Sequence, residues 1–332
     1  MNLRKTLLSL SYFFLGLFTV QAAAAPLVVY SGRSESLIGP LLKQFQEETG
    51  IQLDVRYNKT PELTTQLITE GKTSPADVMI FQEAGYLGIL AKSNLLKPLD
   101  KKLLAQVQPN FQDKDGYWIG TSGRARVLVY NTKLVQTSEL PKSLAELANS
   151  KWQKRIGWAP SNASMQAHVN ALQHLWDQEK TENWLKSIKA LNVTTYPNNA
   201  AQVKAVASGE IAVAWVNHYY LHQLKQQDPS ITAANYHFTA PNDAGNILML
   251  AGAGIHQNSS KLEEAKRLLE FLVSKSAQTY FAQKTFEYPT RPGIPAHADV
   301  TPVDQLNLAP IKQAWLADVG PTVALLQKLG IL

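Results

Sequence analysis

The sequence has no cysteine, little charge and, beyond Val20, no long apolar run. Without a thiol it cannot form a disulfide scaffold, a thiolate zinc site, an iron–sulfur cluster or a thioredoxin-like redox pair, and it has no Cys nucleophile. Charged residues make up 17% of the chain, below the usual value of about 25%. The 32 basic residues outnumber the 26 acidic ones, but they form none of the Lys/Arg blocks that mark a nucleic-acid partner, so no such partner is expected. No G-x-S-x-G, H-E-x-x-H or triad spacing occurs, which disfavours a secreted hydrolase. Internal repeats, low-complexity tracts and Pro/Ser-rich linkers are also missing. What remains is 332 residues with an ordinary apolar fraction of 45%. At roughly 100–200 residues per domain, that length suggests two folded domains.

The first residues read as an address label. Met1 to Lys5 carries Arg4 and Lys5, Thr6 to Val20 is apolar and uncharged, and the small residues of Gln21 to Ala25 precede Pro26. This is the layout of a secretory signal peptide, cleaved near residue 24. The apolar run is shorter than the roughly 20 residues a spanning helix needs. No cysteine follows to carry a lipid, so a soluble exported chain is expected, located in the periplasm. Removing Arg4 and Lys5 leaves a net charge of +4 from a starting +6.

Short β-branched runs alternate with helical patterns along the rest. Leu27 to Tyr30 reads as a strand, and Leu37, Leu41, Leu42 and Phe45 lie at helical spacing within Glu35 to Glu48, with Gly50 as the stop. Ile51 to Tyr57, Asp77 to Phe81, Arg126 to Tyr130, Ile211 to Val216 and Ile247 to Leu250 read as further strands. Pro61 to Glu70, Ser164 to Leu191 and Leu262 to Gln283 each read as one helix. The rhythm predicts an α/β fold with a parallel sheet and helices on both faces. Ligands of such sheets gather beyond the C-terminal strand ends, which directs attention to the loops after Tyr30, Phe81, Gly157 and Val216.

The most unusual segment is Asn217-His218-Tyr219-Tyr220-Leu221-His222, where a buried-type strand leads into a helix. Two adjacent phenols there could both face a cleft. Phenolate is a hard ligand suited to a hard, highly charged cation such as Fe³⁺. Ionising two phenols at pH 7 costs about 8 kcal/mol, which a trivalent ion can supply and a neutral sugar cannot. The alternative is that Tyr219 and Tyr220 pack at a domain edge with solvated hydroxyls. His218 and His222, at i and i+4, have zinc-site spacing, but a zinc protease would need Glu where Tyr219 stands. The remaining histidines are scattered and read as structural or solvent-exposed. Arg33 follows the first strand, and Arg124 and Arg126 sit in Thr121-Ser122-Gly123-Arg124-Ala125-Arg126. A Gly-flanked Arg at a strand end can grip an oxyanion, or simply form a surface salt bridge. Ser161-Asn162-Ala163-Ser164 opens the long helix, either as an anion site or as an ordinary cap.

Taken in order, Tyr30-Ser31-Gly32-Arg33, Ser74 to Val78, Ser122 to Val127, Trp152 to Gly157, Asn217 to Tyr220 and Glu287-Tyr288-Pro289 resemble the periplasmic ferric-ion-binding proteins, solute-binding subunits of iron ABC importers. The resemblance implies a two-lobed periplasmic-binding-protein fold, type II-like, with hinge strands crossing between lobes. The lobes would be 25–126 with 250–284, and 127–249 with 285–332. It implies no catalysis, Tyr219 and Tyr220 as iron ligands, and a monomer that delivers Fe³⁺ to an inner-membrane ABC permease. The family's further ligands differ here: Ser34 stands in place of a His, Gln82 (with Glu83 next to it) in place of a Glu, and Asn162 and Ser164 in place of a third Tyr. Two phenolates cannot fill an octahedral shell, so a synergistic carbonate, phosphate or citrate is implied. Arg33 and Arg124, less surely Arg126, would hold that anion with Ser161, Ser164, Asn199 and Asn217. The competing expectation is a protein of the same fold that takes an organic anion such as a phosphonate, a sugar phosphate or a ferric chelate.

Overall fold

The computed structural model describes residues 25–332, so the signal-like segment lies outside the described residues. Strand β1 (Leu27–Ser31) leads to helix α1 (Glu35–Thr49), which buries Ile38, Leu41, Leu42 and Phe45 on one face. Gly50 stops it in a left-handed conformation (φ 72°), its N–H returning to the Gln46 carbonyl. Then follow β2 (Leu53–Tyr57), α2 (Thr60–Glu70), β3 (Val78–Phe81), α3 (Gly85–Lys92) and the short α4 (Lys101–Leu104). Strand β4 (Ile119–Asn131) is thirteen residues long and buried throughout. Beyond it come β5 (Ile156–Trp158), α5 (Ala163–Leu175), α6 (Gln178–Ala190) and β6 (Thr194–Thr195). Helix α7 (Asn199–Ser208), β7 (Val213–Asn217), α8 (Tyr219–Gln227), β8 (Ala233–Tyr236) and β9 (Leu248–Ile255) follow. The chain closes with α9 (Leu262–Leu272), α10 (Lys275–Lys284) and α11 (Gly320–Lys328).

The strands run in the order β2-β1-β3-β9-β4-β7-β5-β6, with β8 also on β4. The parallel expectation holds on the flanks, where β1 pairs with β2 and β3, and β5 with β6 and β7. It fails in the middle, because β9 runs antiparallel to both β3 and β4, and β4 antiparallel to β7 and β8. The N-terminal half of β4, through Ala125, pairs with β9; from Arg126 onward it pairs with β7 and then β8. Two halves therefore share one strand. On one side, β1, β3 and β9 pack on α1, α9 and α10 through Val29, Ile38, Phe45, Ile255, Leu268 and Phe281. On the other, Trp152, Trp158, Leu172, Trp184 and Trp215 form a core that α11 closes with Leu325 and Leu326.

Two expected helices are each broken. The run from Ser164 to Leu191 divides at Trp176-Asp177, and the run from Leu262 to Gln283 divides at Val273-Ser274. At the first break Asp177 has φ 97° and ψ 168°, a conformation nearly exclusive to glycine, while its carboxylate accepts the Lys180 N–H. The cap offsets the backbone cost, so Asp177→Ala should lower the unfolding free energy by about 1–2 kcal/mol and Asp177→Gly by only a few tenths. Urea denaturation of the two variants tests this; equal losses would mean that the strain at Asp177 is not real.

Candidate metal and anion centre

The expected site residues converge where β4 changes partners. Arg124 and Arg126 lie in mid-strand, not at a strand end as their flanking glycine suggests. Being two residues apart, they point to the same face of the sheet. Arg126 is opposite Asn217, the last residue of β7, and the His218 N–H bonds the Ala125 carbonyl at 3.0 Å. Helix α8 therefore starts directly on the switch point. Tyr219 and Tyr220 stack with ring centroids 4.3 Å apart. Tyr219 is buried among residues of the first half, including Tyr30, Phe81 and Tyr288, and Tyr220 is half-buried. Burial, reinforced by the neighbouring Tyr220 phenol and opposed by Arg124, holds the Tyr219 hydroxyl well above its ordinary pKa.

The three arginines are all buried but differ in what balances their charge. Arg33 follows β1 on a loop held close to α2: a Cβ on Gly32 would lie 2.3 Å from Thr60 Oγ1, so only glycine fits there. Its Nη2 meets Glu287 Oε2 at 2.6 Å and its Nη1 donates to Ser122 Oγ at 2.7 Å, with Arg33 and Glu287 both buried. Arg124 donates to the Gln82 carbonyl and lies 3.6 Å from Glu83 Oε1. Burial raises the Glu83 pKa, with Arg124 pulling the other way. Arg126 meets only neutral groups. Its Nη1 donates to Asn217 Oδ1 at 3.0 Å, Ser164 Oγ at 3.3 Å and Asn199 Oδ1 at 3.4 Å, and its Nη2 to the Trp215 carbonyl at 2.8 Å. The guanidinium lies over the Trp215 ring at 5.0 Å. With no carboxylate at hand, burial pushes the Arg126 pKa down.

Around Arg126 the network is continuous. Asn199 Nδ2 donates to Ser164 Oγ at 3.0 Å and to Asn162 Oδ1 at 3.2 Å, and Ser164 Oγ donates to Asn162 Oδ1 at 2.6 Å. Asn162 also caps α5 through the Ser164 N–H at 3.1 Å. Two expected residues stay outside this network: Ser161 is exposed on the turn, and Ser34 is exposed beside Ser36. Gln82 contributes mainly through its backbone, and its Oε1 is buried without a partner. The His218–His222 pair does not offer a metal site. His218 uses both ring nitrogens, Nε2 with the Phe286 carbonyl at 2.6 Å and Nδ1 with the Ala125 N–H at 3.1 Å. Among the described residues no three His, Asp or Glu side chains group to hold a metal ion.

Two residues of the centre were given no role by the sequence reading. Glu287 is the buried counter-charge of Arg33, and its signal was an acid between two aromatics, Phe286 and Tyr288. Trp215 lies on the same face of β7 as Asn217, and period-2 spacing could have placed it there.

The crossing strands, two flanking α/β halves and a polar centre between them are the architecture of a solute-binding protein. Residues 73–312 match the family of bacterial extracellular solute-binding proteins, and the chain belongs to that family. Over 320 residues it is 32% identical to the Fe(3+)-binding periplasmic protein of Serratia marcescens, covering 95% of this chain and 94% of that one. Its fold matches iron-bound HitA of Pseudomonas aeruginosa with a TM-score of 0.86, at 32% identity and over 92% and 99% of the two chains. It also matches the Trichodesmium protein IdiA (FutA) in complex with iron and citrate, with a TM-score of 0.79 at 28% identity, covering 92% and 99%. The fold is thus the type II periplasmic-binding fold expected from the sequence.

The buried Arg33–Glu287 pair gives a stability test. Removing one partner leaves a buried uncompensated charge, so Glu287→Ala should cost about 3–5 kcal/mol in urea denaturation. Arg33→Met combined with Glu287→Leu should recover most of that loss. A single-variant cost below about 1 kcal/mol would show that water reaches the pair.

Proposed function

We propose that this protein captures Fe³⁺ with a small oxyanion between its two lobes in the periplasm, and delivers the ion to an inner-membrane ABC permease without catalysing a reaction. The observation that carries this reading is the stacked Tyr219–Tyr220 pair beside Arg126, a buried cation with only neutral partners. Both phenols lie within electrostatic reach of Arg126. Fe³⁺ is the cargo, and the two phenols, once deprotonated, supply hard anionic oxygen ligands for it. The anion adds further oxygen ligands and supplies the negative charge that Arg126 lacks. Asn199, Asn217 and Ser164 orient Arg126 toward it, and Arg124, partly balanced by Glu83, adds a second positive charge. Arg33 already has Glu287, so its role is to hold the loop after β1 in place. The iron-binding relatives support the choice of metal, and the citrate seen with the Trichodesmium protein supports a chelating anion.

Colour is the direct test. The iron-free protein given Fe³⁺ and bicarbonate, phosphate or citrate should develop a visible phenolate-to-iron absorption, lost or shifted in Tyr219→Phe and Tyr220→Phe. A colourless wild type would sink the ferric reading and favour an organic anion as ligand.

The pH dependence has a defined sign. The Tyr219 pKa is raised above its ordinary 10, so the phenol is fully protonated in the iron-free protein at neutral pH. Each phenol that binds iron releases a proton, and apparent affinity should fall about tenfold per phenolate for each unit of acidification, or a slope of about two for both. Competition with a chelator of known affinity between pH 5 and pH 7 measures it (roughly the range where the phenols dominate). A flat profile would remove the phenolates from the site.

Arg126→Leu should weaken iron binding by about 1–3 kcal/mol at low anion concentration, with the deficit shrinking as anion is added. An unchanged anion dependence would exclude Arg126 from anion binding.

A further inference from the structure

His218 lies one register position past the end of β7. Arg126 is paired with Asn217, so a continued ladder would pair Ala125 with His218. The Arg126 N–H bonds the Ile247 carbonyl on the β9 side, and alternation along an antiparallel strand turns the Ala125 N–H and carbonyl the other way, toward His218. Half of that pairing is ordinary, since the His218 N–H donates to the Ala125 carbonyl at 3.0 Å. The other half calls for the His218 carbonyl, which has turned away. His218 already has helical backbone angles (φ −58°, ψ −38°) as it leads into α8, and its carbonyl accepts the Asn235 amide at 2.8 Å. The His218 imidazole takes its place, with Nδ1 3.1 Å from the Ala125 nitrogen. Strand gives way to helix within one residue, and no buried N–H is orphaned at Ala125.

The other ring nitrogen reaches a third segment. Nε2 lies 2.6 Å from the Phe286 carbonyl. Phe286 has a left-handed conformation (φ 59°), uncommon for a bulky residue, and this bond helps to hold it. Glu287, next in the chain, pairs with Arg33, and Tyr288 exchanges both backbone hydrogen bonds with Gly123 of β4 at 2.8 Å each. The two partners also fix the ring proton. Nδ1 faces a donor and Nε2 an acceptor, so the imidazole is neutral with its proton on Nε2. Nδ1 is 3.3 Å from the Ala125 carbonyl as well, but a proton there would confront the Ala125 N–H and leave it without an acceptor. The same buried ring stands edge-on to Tyr219, with centroids 5.8 Å apart, and packs on Tyr288 at 4.8 Å.

We propose that His218 is a positioning residue of the iron centre, a role that rests on the ferric reading above. Its imidazole, clasped between Ala125 and Phe286, fixes where α8 begins and therefore where the phenols of Tyr219 and Tyr220 point. It does not ligate the metal, because both ring nitrogens are engaged. Without the clasp the Ala125 N–H is buried unpaired, and the first turn of α8 loses its tie to the segment that carries Glu287. The phenols then lose their fixed orientation.

Chelator competition in the presence of citrate, with the visible band recorded at saturating iron, tests this. His218→Leu removes both hydrogen bonds and should weaken iron binding by about 10- to 100-fold, the usual effect of removing a group that orients a metal ligand. It should also shift the band, because the phenolates meet the iron at a changed angle. His218→Asn keeps an acceptor for the Ala125 N–H and should recover part of both losses. Asp177→Ala, which weakens the cap of α6, should change neither affinity nor band, since a less stable protein with an intact site has the same colour once loaded. Nitrogen-15 NMR of the iron-free wild type needs no variant and should find the His218 proton on Nε2; a proton on Nδ1 overturns the clasp. A coloured wild type whose band and affinity survive His218→Leu overturns the role of His218 and leaves the ferric reading standing. A colourless wild type overturns both.

Discussion

The molecule depends on the hydrogen bonds that strand β4 exchanges on either side of Ala125. Up to that residue it pairs with β9, and from Arg126 it pairs with β7. One continuous backbone therefore belongs to both halves, and whatever it carries at the switch point is shared between them. Arg124 and Arg126, on one face of this strand, are delivered toward different halves: one reaches Gln82 and Glu83, the other Ser164, Asn199 and Asn217. The start of α8 is pinned to the same point by the His218 N–H, which sets Tyr219 and Tyr220 beside both arginines.

Burial then separates three chemically identical side chains into different roles. A guanidinium taken out of water is tolerable when a carboxylate accompanies it, and Arg33 has Glu287 at 2.6 Å. Arg124 has a longer contact with Glu83, itself a carboxylate whose pKa burial has raised. Arg126 has only amide, hydroxyl and carbonyl oxygens. Positive potential left uncompensated inside a protein is a standing preference for anions, and it lies next to phenols that must themselves become anions to hold a metal.

What was legible in the sequence follows from this physics. The tyrosine pair, the arginine-bearing strand and the Asn162–Ser164 capping loop are local motifs, readable because their residues are neighbours in the chain. The fold class was readable from alternating strand and helix patterns. The antiparallel centre was not, because Gly120, Ser122 and Gly123 in β4 are small residues with little β preference that hide the strand's first half. The helix break at Asp177 was hidden because apolar spacing continues across it. The balance among the three arginines was out of reach, since it depends on Glu287, 254 positions beyond Arg33.

The same non-locality has a consequence for how the chain is made. The half built on β1–β3 lacks its central strand β9 and its packing helices α9 and α10 until the last quarter of the sequence is present. The half built on β5–β8 is nearly contiguous and misses only the C-terminal stretch that packs on α5, from Ala309 through α11. During vectorial synthesis or passage through a membrane, the N-terminal portion would emerge first yet be completed late, because the contacts it needs are the most distant in sequence. The order of appearance and the order of folding are therefore reversed between the two halves.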